Sequence, residues 1–172
     1  MLKLFRVLVY CASQEYNVKK SFYLIVDNVR SLENVGSLFR TADAMSVDKV
    51  FLCGITGTPP NTKISKTALG AEECIEWEYY AQSWRLVEKL QKENISVVCL
   101  EQGKGSVSLS KFNPKFPIAL VVGNEVKGVS QSVLKKADVL LEIPMTGKKE
   151  SLNVAVAFGI SAFEINQKRL SL

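Results

Sequence analysis

Five stretches of this chain are almost uninterrupted in apolar residues: FYLIVDNV, KVFLCG, ISVVCLEQ, PIALVVG and VLLEIP. A strand apolar on both sides has to be covered on both sides, which an open antiparallel sheet cannot do. Between these runs lie stretches with helical spacing: LENVGSLFRTADAM, SWRLVEKLQKEN, the short SQSVLKKA, and a last helix from Leu152 to about Gln167. A sixth stretch, CIEWEYY, alternates and reads as a short strand. Strands alternating with helices imply an α/β fold, a mostly parallel sheet with helices on both faces. In such folds ligands bind outside the carboxyl ends of the strands. Gly123–Glu125, Glu101–Gly103 and Ile143–Gly147 fall at such ends.

The 172 residues, 47% apolar, suit one core, assigned to residues 21–172, with residues 1–20 set apart as an N-terminal segment. That segment begins MLKLFRVLVYCAS; Arg6 breaks the apolar stretch and Tyr10 precedes Cys11, a poor match to an export signal. No apolar run reaches membrane-spanning length, so a cytoplasmic protein without membrane contact is expected. There is no histidine, which removes the commonest general base and metal ligand. Cys11, Cys53, Cys74 and Cys99 show no C-x-x-C spacing, so reduced, mostly buried thiols and no metal site are expected. The net charge of +5 suits a polyanion such as RNA, and suits many metabolic enzymes equally.

Ser31 offers an N-cap for the first helix, with Val35, Leu38, Phe39 and Ala42 on its core side and Glu33, Ser37 and Arg40 elsewhere. Gly36, one turn before Arg40, leaves room for a substrate backbone beside a guanidinium, whose planar fork matches a phosphodiester; a surface ladder with Glu33 is the plainer reading. Asn34 lies in the first turn. In GNEVKGVS (123–130), Gly123 permits either a tight turn or close approach to a ligand, and Glu125 is either a site residue or a solvated charge. Ser151 is placed to cap the last helix. Asn153, with apolar neighbours along the chain, reads as a buried amide that must find partners. Two long connections, ITGTPPNTKISKTALGAEE and the segment after Ile143, carry Lys63, Lys66, Lys148 and Lys149, suited to following a phosphate backbone.

NVRSLENVGSLFRTADA (28–44), ALVVGNEVKGVS (119–130) and IPMTGKKESLNVAVAFGI (143–160) resemble, in order and spacing, the three motifs of the SpoU-type RNA 2′-O-ribose methyltransferases of the SPOUT superfamily. The resemblance covers the chain from about Phe22 to its end. It implies a deep trefoil knot in the C-terminal part that forms an S-adenosylmethionine pocket, a homodimer with the active site near the subunit interface, and an RNA substrate. It places Asn34, Arg40, Glu125, Ser151 and Asn153 in the catalytic machinery, with Arg40 as the catalytic arginine. Because a guanidinium is a poor base, Arg40 is expected to position a phosphate and stabilise the developing alkoxide while Ser151 or Glu125 relays the proton. Gly123, Ile143 and Leu152 would line the cofactor pocket, bordered by Leu100, Glu101 and Met145. Transfer RNA is expected ahead of ribosomal RNA, because a domain of this size offers only its loops and a dimer surface for recognition.

The chain departs from the family pattern at Glu150, where a basic residue or histidine is common, at Ala155, where serine is frequent, and at Met45-Ser46 in place of an aromatic-glycine pair. Two other readings stay open on the residues alone: a non-catalytic knotted RNA-binding module, and an unrelated nucleotide-binding α/β enzyme. The first predicts degraded pocket residues. The second predicts a glycine-rich phosphate loop, and none is present.

Overall fold

The structure, a computed structural model, describes residues 20–172. Apart from Lys20, the N-terminal segment lies outside the described residues, and with it Cys11 and the export reading. The chain runs β1 (Phe22–Asp27), α1 (Leu32–Ala44), β2 (Lys49–Cys53), α2 (Thr62–Ala68), α3 (Ala71–Cys74), β3 (Trp77–Tyr80), α4 (Ser83–Lys92) and β4 (Ser96–Leu100). It continues with β5 (Val107–Ser108), β6 (Ile118–Val122), α5 (Gln131–Leu134), β7 (Val139–Glu142) and α6 (Val154–Leu170). The seven strands form one sheet in the order β3-β2-β1-β6-β4-β7-β5, and every pairing is parallel.

Both faces of the sheet are covered, which explains the continuous apolar runs. Phe22, Leu24 and Val26 of β1 pack with Val35, Leu38 and Phe39 of α1 and with Phe158 and Ile165 of α6. Ile25, between them on the opposite face, joins Leu86 and Leu90 of α4 and Val133 of α5. Each such side chain contributes roughly 1.5–3 kcal/mol on burial. Helix α1 starts as expected: the Ser31 hydroxyl accepts from Asn34 N at 3.1 Å, a cap worth about 1 kcal/mol. At the far end of α6 the buried Arg169 reaches Asp48 at 3.2 Å, and Asp48 accepts from Phe22 N at 2.7 Å, so α6 is tied to the start of β1. No helix among the described residues is long and apolar enough to cross a membrane.

Several expectations are corrected. The connection after β2 is not one long loop but contains α2 and α3. Asn61 caps α2 by accepting from Lys63 N, and Ile64 and Ala68, one turn apart, are its only buried residues, too sparse a pattern to announce a helix. Helix α6 begins at Val154, later than Leu152, and its cap is Asn153 rather than Ser151; the Asn153 side chain accepts from Ala155 N and Val156 N. Asn153 is therefore exposed at a helix start, not buried in a helix. Of the three described cysteines, Cys53 and Cys99 are buried and Cys74 is exposed.

Gly36 leaves no room for a substrate. It is buried under α2, and a Cβ there would overlap the Thr67 hydroxyl and the Ile64 carbonyl oxygen. The missing side chain lets two helices touch. Gly36→Ala is therefore expected to destabilise the fold by about 1–3 kcal/mol, as overpacking does. Urea denaturation measures this; an unchanged midpoint would show that α2 is free to shift.

Candidate active site

The carboxyl ends of β4, β6 and β7 open into a cavity of about 260 Å3. Leu100 and Glu101 come to it from the end of β4, and Gly123 and Glu125 from the turn after β6. Ile143 and Met145 come from the segment after β7, and Ser151 and Leu152 from just before α6. All six residues proposed to border a cofactor line this cavity. Gln102, Glu142 and Glu150 line it too, although sequence reasoning places Gln102 only within the Glu101–Gly103 strand end and marks Glu150 only as a departure from the family pattern. Glu142 ends an apolar strand, a position signal that was available; only the fold brings Gln102 Nε2 within 3.1 Å of the Glu150 carbonyl oxygen.

Gly123 does not leave space for a ligand in the way the turn suggested. A Cβ on it would overlap Val129 N and the carbonyl of Gly128, so the 123–130 turn folds back onto its own first residue. Asn124 and Gly128 pair their backbones at 2.9 and 3.0 Å, and the Asn124 side chain accepts from Val126 N and Lys127 N. The resulting wall is compact, with Gly123 presenting main chain only.

Glu125 reaches out of that turn to the start of α1. One oxygen accepts from Arg30 N at 3.1 Å; the other accepts from Ser31 N at 3.0 Å and from Asn34 Nδ2 at 2.9 Å. Partial desolvation pushes its carboxyl up, but the bonds from Ser31 N, the Asn34 amide and Arg30 N together outweigh it, leaving it below the ordinary carboxylate value. The chain of bonds continues: Asn34 Oδ1 accepts from Asn153 Nδ2 at 3.0 Å, and Asn153 Oδ1 accepts from the first amides of α6. Because a carboxylate only accepts, each amide orientation along Glu125–Asn34–Asn153 is fixed in turn. One residue from each of the three motifs is thereby joined in a line, of which Glu125 lines the cavity and Asn34 and Asn153 do not.

Other candidates lie elsewhere. Arg40 is exposed and does not line the cavity. It stands six residues beyond Asn34, about 9 Å along α1 and about 120° around it. Lys63 and Lys66 are exposed on α2 near Glu33 of α1, and help lower its carboxyl after its backbone and Ser31 hydrogen bonds. Lys148 and Lys149 are exposed in the segment before α6 and do not line the cavity. Cys53 and Cys99 are no nucleophiles: burial, then the nearby Asp27 charge, pushes both thiols up to about 12. No group of three metal-binding side chains occurs among the described residues.

Glu125→Gln turns one acceptor into a donor facing N–H groups. Since the folded carboxyl is held low, its stabilisation is full above the unfolded value near 4.5 and is lost as pH falls through the folded value. The variant should melt below the parent at pH 7, with the gap closing as pH drops toward 3. Calorimetric melting across that range reads this; a gap independent of pH would refute it.

The model of the SpoU rRNA Methylase family matches residues 21–163. The YacO protein of Bacillus subtilis (strain 168), which carries the name of a TrmH family tRNA/rRNA methyltransferase, is 32% identical over 94% of this chain and 64% of its own. The 23S rRNA (guanosine-2′-O-)-methyltransferase RlmB of Pseudomonas aeruginosa is 36% identical over 87% of this chain and 60% of its own. The chain thus spans less than two thirds of the length of these relatives. Among solved structures, an AdoMet-bound rRNA methyltransferase from Sinorhizobium meliloti superposes with a TM-score of 0.78 at 29% identity, covering 90% of this chain and 61% of that one. With the family model matching most of its length, the second and third motifs lining one cavity and the first hydrogen-bonded to both, the chain belongs to the SpoU rRNA methylase family.

Proposed function

We propose that the chain transfers a methyl group from S-adenosylmethionine to a ribose 2′-hydroxyl of structured RNA. The observation that carries this reading is the hydrogen-bonded line Glu125–Asn34–Asn153, which starts at the cavity wall and joins the three motifs. The names of relatives that act on tRNA or on 23S rRNA agree with an RNA substrate. Transfer RNA is the first substrate to test and 23S rRNA the second.

The cavity fits the cofactor's chemistry. Leu100, Leu141, Ile143, Met145 and Val154 provide apolar surface for an adenine ring. Glu101, Glu125, Glu142 and Glu150 also line it, with no lysine or arginine, although the chain as a whole carries +5. An acidic, partly apolar cleft suits a ligand bearing a sulfonium and an ammonium and disfavours phosphate-bearing nucleotides. When bound, S-adenosylmethionine supplies an electrophilic methyl group with a good leaving group, so the protein's contribution is mainly orientation.

The residues divide the remaining work. Glu125 already accepts three N–H bonds with a lowered carboxyl, so we assign it to holding α1 against the cavity wall rather than to proton transfer. The Ser151 hydroxyl lines the cavity, is exposed, and makes no hydrogen bond to the described residues, so it is assigned the proton relay. Arg40 stabilises the developing alkoxide and positions a phosphate. Within one chain it does not line the cavity, so in this reading a second copy brings it to the reacting group. Helix α6 supplies the surface for one: Val156, Ile160, Phe163 and Leu170 are 42–57% exposed along it. Gly159 on the same helix faces Thr41, the neighbour of Arg40. A homodimer closed over this stripe carries Arg40 toward the interface. The knotted path of the C-terminal part belongs to the same reading; its support is membership of the family.

Incubation with methyl-labelled S-adenosylmethionine and unmodified tRNA or 23S rRNA, followed by nucleoside mass spectrometry, tests the reaction. A 2′-O-methylnucleoside is expected; label on a base, or none on either RNA, would sink it. Arg40→Ala should lower turnover by about 10²-fold or more while cofactor affinity by calorimetry stays within about twofold. Phe163→Asp should shift the mass in light scattering from dimer to monomer and abolish transfer; a fully active monomer would contradict the shared site.

A further inference from the structure

Asp27 is wholly buried at the carboxyl end of β1, and no ion pair among the described residues includes it. A carboxylate without a cation is costly to bury and persists where its hydrogen bonds are needed. Its Oδ2 accepts from Ser130 N at 2.8 Å, and its Oδ1 accepts from Asn28 Nδ2 at 2.8 Å. Asn28 is a hub in its own right. It holds a left-handed backbone (φ 59°), donates from its N–H to Cys53 O, and accepts Ile55 N on its side chain and Asn124 Nδ2 on its carbonyl. One residue earlier in the turn than Ser130, Val129 N is taken by Glu101 at 2.9 Å. Two successive amides of the cavity wall therefore end on carboxylates from two different strands. The wall has no slack at this point, because Val129 N lies where a Gly123 side chain would start.

We propose that Asp27 is a positioning residue for the cavity: through the Ser130 amide and Asn28 it fixes the 123–130 wall against which the cofactor binds, without lining the cavity itself. The claim about affinity rests on the cofactor reading above; the claim about the wall does not. Two variants remove the same bond from opposite ends. Asp27→Asn sets an amide donor against either Ser130 N or Asn28 Nδ2. Ser130→Pro deletes the N–H itself, at a residue whose φ of −61° already suits proline. Asp48→Asn is the control, a carboxylate that also accepts from a backbone amide, Phe22 N, but bonds nothing in the wall.

NMR amide exchange and calorimetric titration with S-adenosylmethionine read the outcome. In Asp27→Asn the Val129 and Ser130 amides should exchange at least about tenfold faster, and in both wall variants the cofactor Kd should rise about tenfold, the effect of one lost charge-assisted hydrogen bond. Asp48→Asn should lower the melting temperature and keep Kd within twofold. Wall variants with Kd and exchange within twofold of the parent overturn the proposal, as does a control that weakens binding equally. Should the parent bind no S-adenosylmethionine, the cofactor reading fails, and exchange at residues 128–130 alone decides for or against Asp27.

Discussion

Carboxylates closing onto backbone amides hold the functional end of this molecule together. A wholly parallel sheet sends its loops out at the carboxyl ends, where N–H groups are left without strand partners and must be satisfied some other way. Here Glu125 takes the amides of Arg30 and Ser31, Glu101 takes Val129, and Asp27 takes Ser130. The first of these bonds runs from the turn after β6 to the start of α1, across more than ninety residues of sequence. Without it, Asn34 would have no fixed acceptor, and the line to Asn153 would lose its direction.

This arrangement separates charge by location. Lys63, Lys66, Lys148, Lys149 and Arg40 are exposed and lie outside the cavity, while four glutamates line the inside. A polyanion is drawn to the surface and a cationic small molecule to the cleft. Under the proposed function, RNA and S-adenosylmethionine would be sorted by electrostatics in this way before any specific contact forms. The exposed apolar residues of α6 lie on a helix that packs directly against α1, with Gly159 facing Thr41.

Much of the fold was readable from residues. Strands apolar on both faces demanded a doubly covered parallel sheet, and the spacing of Val35, Leu38, Phe39 and Ala42 gave the buried face of α1. The failures share a cause. Gly36 was read as an opening because a missing side chain looks like space, and a second helix fills that space; at Gly123, where a tight turn and a ligand approach were both open, the turn holds and its glycine still lines the cavity. Asn153 was read as buried from its neighbours along the chain, but it sits before the helix, where neighbours in sequence are not neighbours in space. Helices α2 and α3 escaped because two buried positions per turn pair carry too little periodic signal. The composition of the site was visible in its motifs; its wiring was not, since Glu125 to Arg30 and Asn34 to Asn153 are contacts no local pattern encodes.

The position of β6 has a consequence for how the chain is made. It lies between β1 and β4, and its first residue, Ile118, pairs with Phe22, 96 positions earlier. While synthesis has not yet passed residue 118, one edge of β1 has no strand to bond, even though β2 can already occupy the other. The nascent chain therefore exposes an unpaired edge of a largely apolar strand until residue 118 has been made. Such an edge invites pairing with other chains, and closing it late slows the search for the native topology. A chaperone that shields that edge until the ribosome releases β6 would raise the yield of native molecules more than one acting after release.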